Sequence, residues 1–201
     1  MFYKRILTLS IFAAILLLLV GLLPVHGEGE IYDKVVRLHV LANSNSEEDQ
    51  AVKLEVRDAI LAVTVPLLQN CQTREEAVLL LEENRTILTE AARFVLREHG
   101  FDDTVSIEMG LESYPTRTYD SLCFPAGEYI SMRVSLGKGE GQNWWCCLFP
   151  PLCLDAATVG KEVAEDACIS VGFTPTQYKI ITESDQPVYR ARFKILELLG
   201  Q

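Results

Sequence analysis

Residues 141–153 read GQNWWCCLFPPLC, which sets Trp144 beside Trp145, Cys146 beside Cys147 and Pro150 beside Pro151, with Cys153 closing the run. Thiols packed this closely suggest a nucleophile, a metal site or a disulfide corner. A cysteine nucleophile needs a base within hydrogen-bond reach and a third group to orient that base. His39 is the suitable histidine, with Asp49 or Asp58 as orienting carboxylate, because His26 ends an apolar leader and His99 is remote in sequence. A zinc site needs about four ligands at suitable spacing. Cys146, Cys147 and Cys153 have no histidine near them, so neither a metal nor another cofactor is expected. The chain carries no CxxC pair, no HExxH and no GxSxG. GKGEG, Gly137 to Gly141, has the glycine spacing of an anion loop but leads into aromatic, β-favouring residues rather than a helix, and reads as a hairpin turn.

The compartment decides what the thiols do. Lys4 and Arg5 precede an uncharged apolar run from Ile6 to Leu23, and Val25 and Gly27 supply small residues before a cleavage point. Residues 1–27 therefore read as a signal peptide or membrane anchor, the membrane being met through this segment alone. The remainder is expected outside the cytoplasm. Lys4 and Arg5 are the two of the 18 basic residues that precede Gly27, and all 28 acidic residues follow it, so the part beyond Gly27 carries a formal charge of −12. Such a surface repels nucleic acid. Among the 6 cysteines of an exported chain, disulfides are expected. The Pro150–Pro151 bend can fold Cys153 back on Cys146, closing a short loop that adds about 2 kcal/mol and fixes local shape. Cys147, on the opposite face, would pair with Cys123 or Cys168 if it pairs at all.

The elements that position these residues follow from periodicity. Val36, Leu38 and Val40 alternate with Arg37, His39 and Leu41 as in a strand with one buried face. Ser46 with Asp49 marks a helix start, and the helical pattern runs to Val65, where Pro66 closes or kinks it. Thr73 with Glu76 opens a second helix that reaches Gly100, with Asn84 as a core-edge amide bonded to backbone. Strand texture follows at 104–109, 114–118 and 128–136, then at Trp144 to Phe149. This order predicts an α+β fold: a mainly antiparallel sheet with two principal helices packed on one face, in a single domain over residues 28–155. Residues 156–201 are expected as a partly helical extension, with helices near Thr158 to Ala167 and Tyr189 to Leu199.

The first helix carries two apolar stripes, Val52, Val56, Ala59, Ile60 and Val63 on one side and Leu54, Leu61 and Val65 nearly opposite. The second stripe is expected to pack on the second helix. Lys53 and Arg57 lie between the stripes beside Gln50, with Asp49 placed to pair with Lys53. A basic pair stands out in so acidic a chain. His39, Asn43, Ser44, Asp49, Gln50, Lys53 and Arg57, together with Asn143, Trp144 and Trp145, are therefore the candidate partner-binding residues. Of the two tryptophans, on opposite faces of a strand, one is expected in the core and one at the surface as a contact.

RLHVLANSNSEEDQAVKLEVRDAI, Arg37 to Ile60, and PAGEYISMRVSLGKGEGQNWWCCLFPPLCLD, Pro125 to Asp155, together resemble the stage II sporulation protein R family. The resemblance implies an exported signalling protein, acting in the space between forespore and mother-cell membranes. Its implied partner is a membrane-embedded aspartic protease that removes the pro-segment of sigma-E, with the catalytic residues on the protease and none on this chain. Asn45, where the family pattern has Asp, and Cys147, where it has a small apolar residue, depart from that pattern. The reading from a different class is an exported cell-wall hydrolase or thiol-dependent enzyme using His39 and the Cys146, Cys147 and Cys153 cluster.

Overall fold

The structure, a computed structural model, describes residues 31–119, 122–154, 157–158 and 161–183, together with Tyr3, Arg5 and Ile6. Met1–His26 and Gln186–Gln201 form a unit apart from Gly27–Asp185, and all that follows concerns the second unit. The expected leader from Ile6 to Leu23 and the helix expected at Tyr189 to Leu199 lie outside the described residues, Ile6 excepted. Among the described residues, no helix is long and apolar enough to cross a membrane.

Strand β1 (Val36–Leu41) occupies an inner position of a four-stranded sheet ordered β2–β5–β1–β6, where β2 is Val105–Tyr114, β5 is Gly127–Leu136 and β6 is Asn143–Phe149. β1 pairs parallel with β5, His39 opposite Arg133, and antiparallel with β6, His39 opposite Trp145. β2 and β5 pair antiparallel without a register break. The fold is α+β with a mainly antiparallel sheet.

Helix α1 (Glu47–Leu68) starts where Ser46 Oγ accepts from Asp49 N, and Glu47, Glu48 and Asp49 place carboxylates at the positive end of the helix. It runs past Pro66 to Leu68. Proline there removes the bond to the carbonyl of Ala62, an exposed residue whose carbonyl can turn to water. Beyond Thr73, the chain forms two helices instead of one, α2 (Arg74–Glu83) and α3 (Arg85–Glu98). Asn84 separates them, its amide donating to Leu80 O at 2.8 Å in the backbone role expected of it. An amide that captures a helical carbonyl competes with the next turn, and the apolar stripe continues across the break. Gly100, at φ 75°, lets the chain leave α3.

All three helices cover one face of the sheet, where Val36, Leu38 and Val40 share a core with Val56, Ile60, Leu81, Leu88 and Leu96. In α1 the buried stripe includes Leu61, while Leu54 is left exposed, so the second apolar stripe packs in part.

The other face is covered too. A hairpin, β3 (Arg117–Tyr119) with β4 (Leu122–Phe124), and two later helices, α4 (Lys161–Ser170) and α5 (Pro175–Glu183), enclose a second core. Tyr114, Tyr129 and Cys147 of the sheet meet Phe124, Cys168, Phe173 and Ile181 there. Lys34 Nζ helps to hold this layer by donating to Gly172 O and to Gln177 Oε1, the latter at 2.9 Å. All six residues of β1 are consequently buried, not one face alone. Short strands β7 (Cys153–Leu154) and β8 (Ala157–Thr158) pair before α4.

GKGEG is not a tight hairpin turn. β5 and β6 flank β1 and are not paired with each other, so residues 137–142 cross over the end of β1. The crossing is fastened to the ANSNS loop: Gly141 N donates to Ala42 O, and Lys138 N donates to Asn43 Oδ1 at 3.0 Å. A Cβ at Gly141 would stand 2.2 Å from Ser44 O, which explains glycine at that position.

Candidate functional site

The ten candidate side chains gather around one end of the sheet, where β1 finishes and β6 begins, and the sheet divides them into two groups. On the helical side, Asn43 Nδ2 donates to Asp49 Oδ2 at 3.1 Å, and Gln50 Nε2 donates to Ser44 O at 2.8 Å. Lys53 Nζ donates to Gln50 Oε1 at 2.6 Å and to Gln142 O at 3.0 Å, not to Asp49 as spacing suggests. Arg57 binds Asp58 Oδ1 and lies over the Trp144 ring, 4.9 Å from its centroid. Lys53 and Arg57 are buried, so the basic pair faces into the contact with the start of β6. Burial, and then the charge of Arg57, pull the Lys53 pKa down.

On the opposite face stand His39, Asn143 and Trp145. His39 Nδ1 meets Glu112 Oε1 at 2.6 Å and Nε2 meets Asn143 Oδ1 at 2.8 Å. Both ring nitrogens are thereby engaged, which fixes the orientation of the imidazole. Burial acts to raise the pKa of Glu112, but the His39 bond and nearby positive charge outweigh it and hold the carboxyl below its usual range. Trp145 lies between the His39 ring, centroids 5.3 Å apart, and the Arg117 guanidinium, 3.9 Å from its centroid. Both tryptophans are half-buried and each carries an arginine, so they share the core and surface roles that were expected to be divided.

Sequence reasoning missed Arg37. This residue is fully buried; its Nε donates to Cys146 O at 3.0 Å and its Nη2 to Tyr119 Oη at 2.6 Å. Tyr114, Phe124, Tyr129 and Tyr119 stand around its Cζ at 4.6, 4.9, 5.0 and 5.4 Å. Burial raises the Tyr119 pKa against the pull of the guanidinium, so the phenol stays protonated. No carboxylate pairs with Arg37 among the described residues, and the ring faces take the place of a counter-ion. The local signal was an arginine inside an apolar alternation. The four rings come from four other strands, one each from β2, β3, β4 and β5, and nothing local announces that they converge.

Cys146 is disulfide-bonded. Its expected partner, Cys153, has its backbone in β7, but its side chain lies outside the described residues. Cys71, Cys123, Cys147 and Cys168 are free. Cys147 Sγ points to the carbonyls of Phe149 and Pro150, and burial pushes its pKa far above the range of a reactive thiol. Burial likewise pushes Cys168 up to about 12. His39 is engaged by Glu112 and Asn143, so no cysteine–histidine dyad is assembled among the described residues. No group of three or more metal-ligating side chains is gathered there either.

Residues 32–158 match the family described as Stage II sporulation protein R. The Stage II sporulation protein R of Bacillus subtilis (strain 168) is 35% identical over 135 residues, which span 67% of this chain and 60% of that protein. No solved structure matches the chain.

Proposed function

Because the chain belongs to the stage II sporulation protein R family, we propose that it is an exported sporulation signal that activates a membrane-embedded aspartic protease of the mother cell, leading to processing of pro-sigma-E. The supporting observation is the family match over 32–158, a span that includes all ten candidate residues. On this reading the chain reaches the space between forespore and mother-cell membranes through residues 1–27. It contributes a contact surface, needs no cofactor, and leaves catalysis to the protease. The end of the sheet suits such a contact: two half-buried tryptophans, each stacked with an arginine, are the side chains that concentrate binding energy at interfaces.

Processing of pro-sigma-E in cells carrying the protease tests this directly. The chain with its leader should switch processing on, residues 28–201 without it should not, and a foreign signal peptide should restore activity. Absence of processing in every arrangement refutes the proposal. His39 bonded to Glu112 also has the geometry of a base and its orienting carboxylate, which keeps a hydrolase as the second reading. In that case His39→Ala abolishes hydrolysis of wall material by purified protein, and alkylation of its thiols does the same.

A further inference from the structure

β2 forms one edge of the main sheet, bonded on one side to β5 and on the other to nothing among the described residues. Folded proteins blunt such an edge with charged side chains, lysine above all, with proline, a bulge or a covering element, and of these β2 carries only the carboxylates of Glu108 and Glu112. Over Val105–Tyr114, β2 has no proline or lysine, and its pairing with β5 runs through ten residues without a register shift. At its middle, Gly110 has open space where a Cβ would stand, and Leu111 is 71% exposed. A glycine inside a strand often marks the close approach of another backbone, and Leu111 beside it gives such a backbone a side chain to pack on.

We propose that β2 is a docking edge onto which a partner protein adds an extended segment carrying basic residues. This deepens the signalling reading by naming the chemistry of the partner segment. Main-chain hydrogen bonds would supply affinity, and side chains at alternate positions would supply selection. Glu108 and Glu112 project from one face of β2 at alternating register, and Leu111 projects from the other. Glu108 is exposed, and although Arg133 stands opposite it, the two form no ion pair among the described residues. The Glu108 carboxylate accepts from Ser106 Oγ at 3.2 Å and has no cation paired with it among the described residues, so an incoming lysine or arginine can take that place. A second copy of this chain is disfavoured: symmetric antiparallel pairing of β2 with itself brings Glu108 and Glu112 of both copies onto one face, in a protein already strongly acidic.

The test uses the full chain in sporulating cells. A photoreactive benzoyl-phenylalanine is placed at Leu111 and, as a control, at Phe94, which is exposed on α3. The expected adduct forms from position 111, on a partner segment with lysine or arginine at alternate positions, and not from position 94. No adduct at 111, an adduct to a second copy or to another part of the same chain, or a partner segment without basic residues overturns the proposal. In parallel, Glu108→Lys with Leu111→Lys should lower pro-sigma-E processing about tenfold or more while the thermal midpoint stays unchanged. Processing within twofold of wild type, roughly 0.4 kcal/mol, counts against the edge. If the wild-type chain itself elicits no processing, the signalling reading fails, and the position of the adduct still decides whether the edge is occupied.

Discussion

Arg37→Met is the substitution that most directly weighs the forces in the second core. Methionine keeps much of the apolar stem and removes the charge. The loss comprises two charge-assisted hydrogen bonds, to Cys146 O and Tyr119 Oη, at about 1.5–3 kcal/mol each. A further contribution of about 2 kcal/mol disappears with the four ring faces around the guanidinium. Against this stands the relief of burying a cation, several kcal/mol on the same scale, which is real here because Arg37 is fully buried, has no carboxylate partner among the described residues, and leaves Nη1 without a hydrogen bond. The balance leaves the variant about 2–4 kcal/mol less stable, or roughly 5–15 °C lower in thermal midpoint for a chain of this size. Urea and thermal unfolding of residues 28–201, followed by tryptophan fluorescence, measure it. An Arg37→Met midpoint equal to or above wild type would mean that desolvation outweighs the aromatic cage. The account of ring faces standing in for a counter-ion would then be refuted.

Glu112 has a folded pKa held below the usual carboxylate range, so its stabilising contribution is complete above its unfolded value and is lost as pH falls through the folded one. Acid unfolding below about pH 4.5 should therefore be less steep in Glu112→Gln than in wild type, a difference visible in midpoints measured from pH 6 to pH 2. Native protein treated with iodoacetamide at pH 8 should label at Cys71, which is partly exposed, and not at Cys147 or Cys168; denaturation without reductant should add those two and Cys123. Cys146 should stay unlabelled until reduction, and a non-reduced peptide map should join it to Cys153; any other partner refutes the corner at Pro150–Pro151. Gly141→Ala forces a methyl to within 2.2 Å of Ser44 O, so the two loops must part, at about 1–3 kcal/mol. Unchanged stability in that variant would show that the ANSNS loop is not held by the crossing.

Local rules made part of this fold legible. Ser46 and Thr73 cap helices as their spacing suggests, because capping is decided within four residues. The inward face of β1 and the end of β6 at Phe149 follow from alternation and from prolines that cannot donate. What stayed hidden depends on residues far apart in sequence. His39 and Arg37 resemble a solvent face until a hairpin from Arg117–Phe124 and helices beyond Lys161 cover them. Glu112, the partner of His39, sits 73 residues away. Lys53 and Arg57 could be placed between two apolar stripes but no further, because helical phase alone does not reveal that Gln142 and Trp144 wait opposite them.

The inner placement of β1 bears on how the chain can assemble. The earliest strand is flanked by two of the latest, and Arg37 bonds to a carbonyl 109 residues further on. Until β5 and β6 exist, β1 has both edges open and no sheet to join. Closing loops of that length comes before any ladder bond forms, which makes for slow, non-local folding. A chain interrupted before Gly127 has the three helices, β1 and β2 but not β5, the strand that joins β1 to β2, so no stable half-protein should accumulate on the way. Synthesis and folding are thereby separated in time, the domain appearing in one cooperative event once nearly all of it has been made.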